Sequence, residues 1–176
     1  MPRVLIEQLD RSHTHAMQRL VSDPHVTRFT PKPEPYPEGE AAREIEQAMN
    51  DRKAGTAYCF AILCDGDFAG VCKLKEVSEG RAELGYWVGV PFWGRGVATD
   101  AARLALTFAF EELKLDFVVA HTLTENEASS RVLDRLGFRF LIEEPNTHPK
   151  WSSKTMVRQY KLSRKTWEMS TKRHSS

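Results

Sequence analysis

The chain has 176 residues, with 25 Lys and Arg against 24 Asp and Glu for a formal net charge of +1, and 41% of its residues are hydrophobic. That size suits one domain with a real core, and the near-neutral charge gives no global reason to bind a polyanion. No stretch approaches the roughly 18 uninterrupted apolar residues of a membrane helix. Glu7 arrives too early for a signal peptide, and three cysteines at no metal spacing suit reduced thiols in the cytoplasm.

Residues 3–9 read as a strand and 11–22 as a helix with Ala16, Leu20 and Val21 among its apolar positions. Pro24, Pro31, Pro33, Pro35 and Pro37 exclude regular helix or central strand from the next stretch, which serves either as a connector or as the rim of a binding site. Residues 38–53 read as a helix with Glu38 and Glu40 at its start, where the helix dipole favours acid.

Tyr58 to Cys64 and Phe68 to Lys75 are strand-like runs joined through Asp65-Gly66, the pair preferred in a two-residue hairpin turn. Carried back from the closing pair Cys64–Asp67, that register puts Cys59 opposite Cys72. Two small buried thiols are expected there, rather than a disulfide.

Ser78-Glu79-Gly80 makes a further turn, Ala82 to Val90 a strand ended by Pro91, and Val97 to Leu113 a helix apolar on two faces. Leu115 to His121 is a strand. Residues 127–136 form a helix, with Thr124 and Glu127 spaced as a capping box and Gly137 closing it. Residues 138–143 and 155–162 are the last strands. The order predicts an α+β fold with a parallel strand pair flanking the long helix.

Residues 1–165 are expected to form a single domain and 166–176 a partly disordered tail. The basic bias after Tyr160 (Lys161, Arg164, Lys165, Lys172, Arg173) reads as a solvated end. An RNA or ribosome contact is its rival reading, and it lacks interleaved aromatic platforms. His13, His15 and His121 have no convincing third ligand, so no metal is expected and these histidines read as surface or packing residues.

The chemistry concentrates in Phe92-Trp93-Gly94-Arg95-Gly96-Val97-Ala98-Thr99, where glycines separate a strand end from a long helix. Small residues let the backbone approach a ligand, and the free N–H groups of a first helical turn suit a phosphate. The lysine of a nucleotide P-loop is missing, and a dinucleotide fold would place its glycines after the first strand. Alone, a turn followed by a helix cap explains these glycines equally well.

Together with their neighbours, these residues resemble the GNAT superfamily of N-acetyltransferases, and within it the ribosomal-protein-type RimJ/RimL-like branch. Trp93-Gly94-Arg95-Gly96-Val97-Ala98 is similar to the family's pyrophosphate loop, with Trp in the leading position as in the Rim-like branch. Ala82 to Val88 resembles that branch's fourth strand, and Asn126 to Phe138 resembles the N-x-x-S helix with its closing Gly-Phe. The match is strong over residues 82–140.

The resemblance implies a mixed, mostly antiparallel twisted sheet flanked by about four helices, its fourth and fifth strands splayed around the pantetheine arm of acetyl-CoA. Val88 and Val90 would bind that arm through backbone groups, and the loop from Trp93 through Gly94, Arg95, Gly96, Val97 and Ala98 to Thr99 would hold the pyrophosphate. Asn126 would bond the arm, or simply cap its helix. Ser129 would lie near the sulfur, or be a plain surface hydroxyl.

The implied reaction is direct attack by an amine on the thioester within a ternary complex. An α-amine of pKa about 7.7–8.0 is easier to use than a lysine of about 10.4. Glu83, on the strand beside the thioester and sharing a face with Gly85 and Trp87, is the candidate base. Its rival reading is an exposed carboxylate paired with a cation. Many family members carry a tyrosine after Gly-Phe, but here Arg139-Phe140-Leu141 offers no hydroxyl; the resemblance to the Rim-like branch, which can use the serine of N-x-x-S instead, implies Ser129 as the acid.

The expected acceptor is a protein N-terminus or a small-molecule amine. Nucleic acid and membrane are not expected as partners, and a homodimer is a candidate assembly. A second reading keeps the cofactor site but makes the chain a catalytically silent acyl-CoA-binding module.

Overall fold

Asp65 (φ 52°) and Gly66 (φ 89°) both occupy the left-handed region, the requirement of a type I′ turn. They fold strand β2 (Tyr58–Cys64) back onto β3 (Asp67–Ser78) in the computed structural model, which describes residues 1–175. Glu79 (φ 43°) and Gly80 (φ 79°) repeat the device between β3 and β4 (Arg81–Val88).

The pairing expected for the first hairpin holds only next to its turn. Leu63 faces Phe68, but Ile62 faces Gly70, so Ala69 is an extra residue in a β-bulge. Beyond it Cys72 faces Phe60, and Cys59 faces Lys73. A one-residue shift turns side chains to the other face. Cys72 accordingly packs on one side of the sheet and Cys59 on the other, and both are free thiols. The bulge sits where β3 meets β4 closely. A Cβ on Gly70 would lie 2.1 Å from the Trp87 carbonyl oxygen, so only glycine permits that approach, and the Ala69 carbonyl accepts the Gly89 N–H at 2.8 Å.

The remaining strands are β1 (Val4–Gln8), β5 (Phe117–Leu123), β6 (Arg139–Pro145) and β7 (Met156–Ser163). The sheet runs β1-β2-β3-β4-β5-β7-β6, antiparallel except for β4 and β5. Helix α1 is Thr14–Val21, after a short 3₁₀ turn. The Pro-rich stretch contains one further short helix, α2 (Pro24–Thr27), with proline where a helix tolerates it, in the first turn. Helix α3 is Glu40–Ala54, and the parallel crossover is α4 (Val97–Thr107) extended by a π-helical turn at Phe108–Glu112.

Helix α5 is Glu127–Arg135, and its N-terminal cap is Asn126 instead of Thr124. The segment read as a tail from residue 166 is helix α6 (Arg164–Arg173), held by buried Trp167 stacking on Phe110 with ring centroids 5.7 Å apart.

Two apolar layers sandwich the sheet. Val97, Ala101, Ala105 and Leu106 of α4 and Leu133 of α5 pack on Leu74, Leu84 and Val118. On the other face, Met17 and Val21 of α1 and Ile45 of α3 pack on Ala61, Val71 and Trp87. Alternation along β4 therefore sends Leu84 and Tyr86 to the α4 side, and Glu83 and Trp87 to the α1–α3 side.

Candidate active site where two parallel strands part

The parallel ladder runs from Arg81 opposite Phe117 to Leu84 opposite Ala120 and then stops, although β4 continues to Val88 and β5 to Leu123. Both strands keep their outer partners, β3 and β7. The wedge between them therefore exposes backbone groups that an elongated ligand could pair with.

At the far end of β4 lies the glycine loop. Gly94 (φ 72°) and Gly96 (φ 76°) are left-handed, and a Cβ on either would meet nothing within 4 Å. Glycine is thus required by the backbone, beside open space. Gly96 caps α4 with no side chain bonded to the first turn, so its N–H groups remain for a ligand, and the dipole favours an anion there. Val97 and Thr99 are buried, which leaves their backbones as the groups on offer.

Arg95 is held by Asp65 of the hairpin turn, Nη2 to Oδ2 3.2 Å. The half-exposed Trp93 donates its indole N–H to the Val88 carbonyl at 2.7 Å. Val90 begins the 3₁₀ turn that leads into this loop. These features fit a diphosphate at α4 and an amide-bearing arm in the wedge.

On the α4–α5 side of the wedge, Tyr86 Oη lies 2.9 Å from Ser129 Oγ. Asn126 accepts the Ser129 N–H through Oδ1 at 3.2 Å, which leaves its amide N–H₂ for another acceptor. Asn126 is thus a helix cap with donors to spare. Burial pushes the Tyr86 phenol well above its ordinary pKa, so it stays protonated.

On the α1–α3 side, Glu83 Oε1 is 3.0 Å from His121 Nδ1 and 3.6 Å from Lys75 Nζ. Burial raises the Glu83 carboxyl, but the His121 hydrogen bond and the Lys75 charge outweigh it and hold the group below its usual range. The same bond raises the His121 pKa against the effect of burial. His121, expected to be a surface or packing residue, is instead bonded to the candidate base.

Around this face, Lys32 bonds Glu44 at 2.8 Å, and Tyr36 donates to Glu44 at 2.7 Å. Lys150 donates to the carbonyls of Thr27, Thr30 and Lys32 at 2.7, 2.9 and 2.5 Å, tying the Pro-rich connector to the β6–β7 loop.

The structure therefore gathers Glu83, Val88, Asn126 and Ser129 at one wedge, with residues 93–99 at its end. Sequence reasoning missed Tyr86 and His121 as partners, whereas the cation pairing that was the rival reading of Glu83 is present in its 3.6 Å contact with Lys75. Strand alternation could have put Tyr86 on the face opposite Glu83, but nothing in the sequence fixes the register that brings His121 to Glu83. Among the described residues, no group of three or more His, Cys, Asp or Glu is placed to hold a metal ion, and no helix is long and apolar enough to cross a membrane.

Residues 3–139 match the family model described as an acetyltransferase (GNAT) domain. The spermidine N(1)-acetyltransferase of Escherichia coli (strain K12) is 35% identical over 141 residues, covering 77% of this chain and 72% of that protein. An FsC-acetyl coenzyme A-N(2)-transacetylase of Aspergillus fumigatus is 30% identical over 181 residues, covering 94% and 75%. Among solved structures, RimL, a ribosomal L7/L12 alpha-N-protein acetyltransferase in complex with coenzyme A, superposes with a TM-score of 0.81 at 19% identity, over 91% of this chain and 93% of that one. RimL shares the fold, and the family model extends over the strands, glycine loop and helix that build the wedge. The chain belongs to the GNAT acetyltransferase family.

Proposed function

We propose that this acyltransferase moves an acetyl group from acetyl-CoA to a primary amine by direct attack within a ternary complex. The observation that carries the reading is the β4–β5 wedge running into an uncapped helix N-terminus with open space above Gly94 and Gly96. Backbone groups from Gly94 to Thr99 hold the diphosphate. The ends of β4 and β5 with Val90 and Asn126 hold the arm, and Trp93 yields the Val88 carbonyl or shares it. Acetyl-CoA supplies a thioester carbonyl as the acyl donor.

An attacking amine must be neutral. With Nδ1 engaged by Glu83, His121 keeps Nε2 for a further partner, so the pair can accept the amine's proton there or through a water. Glu83 orients the imidazole and stabilises its charged form. On the other side of the wedge, Ser129 donates to the departing thiolate, and Tyr86 stands behind it as a second hydroxyl. One relative is named for a polyamine acceptor and the RimL structure for a protein N-terminus. They support an amine as the acceptor class.

Thiol release from acetyl-CoA, measured across peptides and small amines, tests the proposal. Release that depends on an added amine supports it. Acetyl-CoA binding by calorimetry without thiol release for any amine would leave a silent acyl-CoA-binding module.

A further inference from the structure

Lys73 sits in the middle of the face that carries Glu83 and His121. It pairs with Cys59 on one side and Gly85 on the other, two residues along β3 from Lys75, which faces Glu83. Its stem lies across Gly85, where a Cβ would come within 3.3 Å of Cε and 3.6 Å of Cγ. Gly85 is the first residue of β4 past the last β4–β5 pair. The absence of a side chain there leaves room for the lysine stem over β4, at the residue where the wedge opens.

The charged groups acting on Lys73 are engaged with other partners. Lys75 and His121 share Glu83, Lys32 bonds Glu44, and Lys150 is held by three carbonyls with Glu34 at 3.5 Å. Lys73 has no hydrogen-bond or ion-pair partner among the described residues. Burial, then the nearby Lys75 and Lys32, push its ammonium below the ordinary lysine value. Glu44 partly offsets this but is bonded to Lys32 and Tyr36, and a half-buried cation with no direct ion pair is costly to the free protein unless a ligand supplies one.

Resting on the acetyltransferase reading above, we infer that Lys73 is an anion anchor for the acceptor on the face that carries Glu83 and His121, and that the acceptor is an amine carrying a carboxylate close to the reacting nitrogen. An α-carboxylate and an acidic side chain near a peptide N-terminus are the two sources of that group. The cations of this face also lower the pKa of an amine bound beside them, so the carboxylate secures binding while its surroundings favour the neutral, attacking form. A polycation with no acid group meets only repulsion from Lys73, so spermidine is not carried over from the relative named for it.

The test measures thiol release from acetyl-CoA with alanine against alaninamide, alanyl-aspartic acid α-amide (side-chain carboxylate free) against alanyl-asparagine amide, and spermidine. The carboxylate member of at least one pair should have kcat/KM about 10- to 100-fold higher, the range of a charge-assisted bond. The pair that responds identifies the source, and spermidine should be the poorest acceptor. Lys73→Met should erase the preference through KM, Lys73→Arg should keep it, and acetyl-CoA affinity by calorimetry should be the same in all three proteins. Equal use within both pairs, a preference for spermidine, or an unchanged preference in Lys73→Met would overturn the inference while leaving the acetyltransferase reading intact. Absence of thiol release with every amine would remove that reading, and this one with it.

Discussion

His121 Nδ1 lies 3.0 Å from Glu83 Oε1 and bridges the two parallel strands at the point where their ladder ends. Breaking this bond should impair proton removal. Glu83→Gln should lower kcat/KM for the amine by about 10²–10⁴-fold, as for other positioned acid–base groups. His121→Gln should do the same, and the double variant should be little worse than either, because the two residues act as a unit. With the carboxylate gone, the His121 pKa falls towards its ordinary value, so the acid limb of the kcat/KM profile should move to lower pH. Steady-state profiles and an imidazole NMR titration check both outcomes.

The same pair contributes to stability with a definite pH window. His121 is raised on folding, so its contribution is complete below about pH 6.5 and is lost as pH rises through the folded value. Glu83 is lowered, so its contribution is complete above about pH 4.3 and is lost as pH falls through the folded value. The stability difference between wild type and Glu83→Gln should therefore be largest between roughly pH 4.3 and 6.5. Urea unfolding across pH measures it, and a pH-independent difference would show the pair to be uncharged in the folded protein.

Gly96 separates backbone strain from ligand contact. A Cβ there meets nothing within 4 Å, but φ is 76°, so Gly96→Ala should destabilise the protein by about 1–2 kcal/mol through the backbone alone. Gly96→Glu adds a bulky anion beside the uncapped turn and should weaken acetyl-CoA by more than about tenfold, or ~1.4 kcal/mol. Calorimetry compares the two; undiminished affinity in the glutamate variant would place the diphosphate elsewhere.

Tyr86→Phe and Ser129→Ala should each lower kcat modestly, about tenfold, with the double variant no worse. Small effects are expected because a thiol of pKa about 8.5 departs with little help. Amine KM should stay unchanged in both, since these hydroxyls face the α4–α5 side of the sheet. Initial-rate kinetics over both substrates make the comparison.

Trp167 is 6% exposed and stacks on Phe110. Trp167→Ala should destabilise by about 3–5 kcal/mol, the range for removing a buried aromatic. Urea unfolding tests this, and a loss under 1 kcal/mol would mean α6 is peripheral to the core.

What the sequence determined by itself was local. Asp65-Gly66 announced its turn because a type I′ turn needs two left-handed residues in succession, a demand met within four residues of chain. Gly94 and Gly96 marked a tight loop for the same reason, and the period-3.6 apolar pattern of Val97 to Leu113 marked the helix behind it. The tertiary structure decided whatever depends on register. The bulge at Ala69 sits where Gly70 lies against the Trp87 carbonyl, a contact between strands, and it moves Cys59 away from Cys72. His121 reaches Glu83 over 38 residues, and Tyr86 reaches Ser129 over 43. Those distances are closed by the packing of α4 and α5 on the sheet, not by any local preference. Lys73 has no direct ion pair because strand pairing sets Gly85 beside it and gives Glu83 to Lys75 and His121, while Glu44 is bonded to Lys32. Backbone conformation is written residue by residue, whereas the partners of a charge follow from which strands meet and in what register.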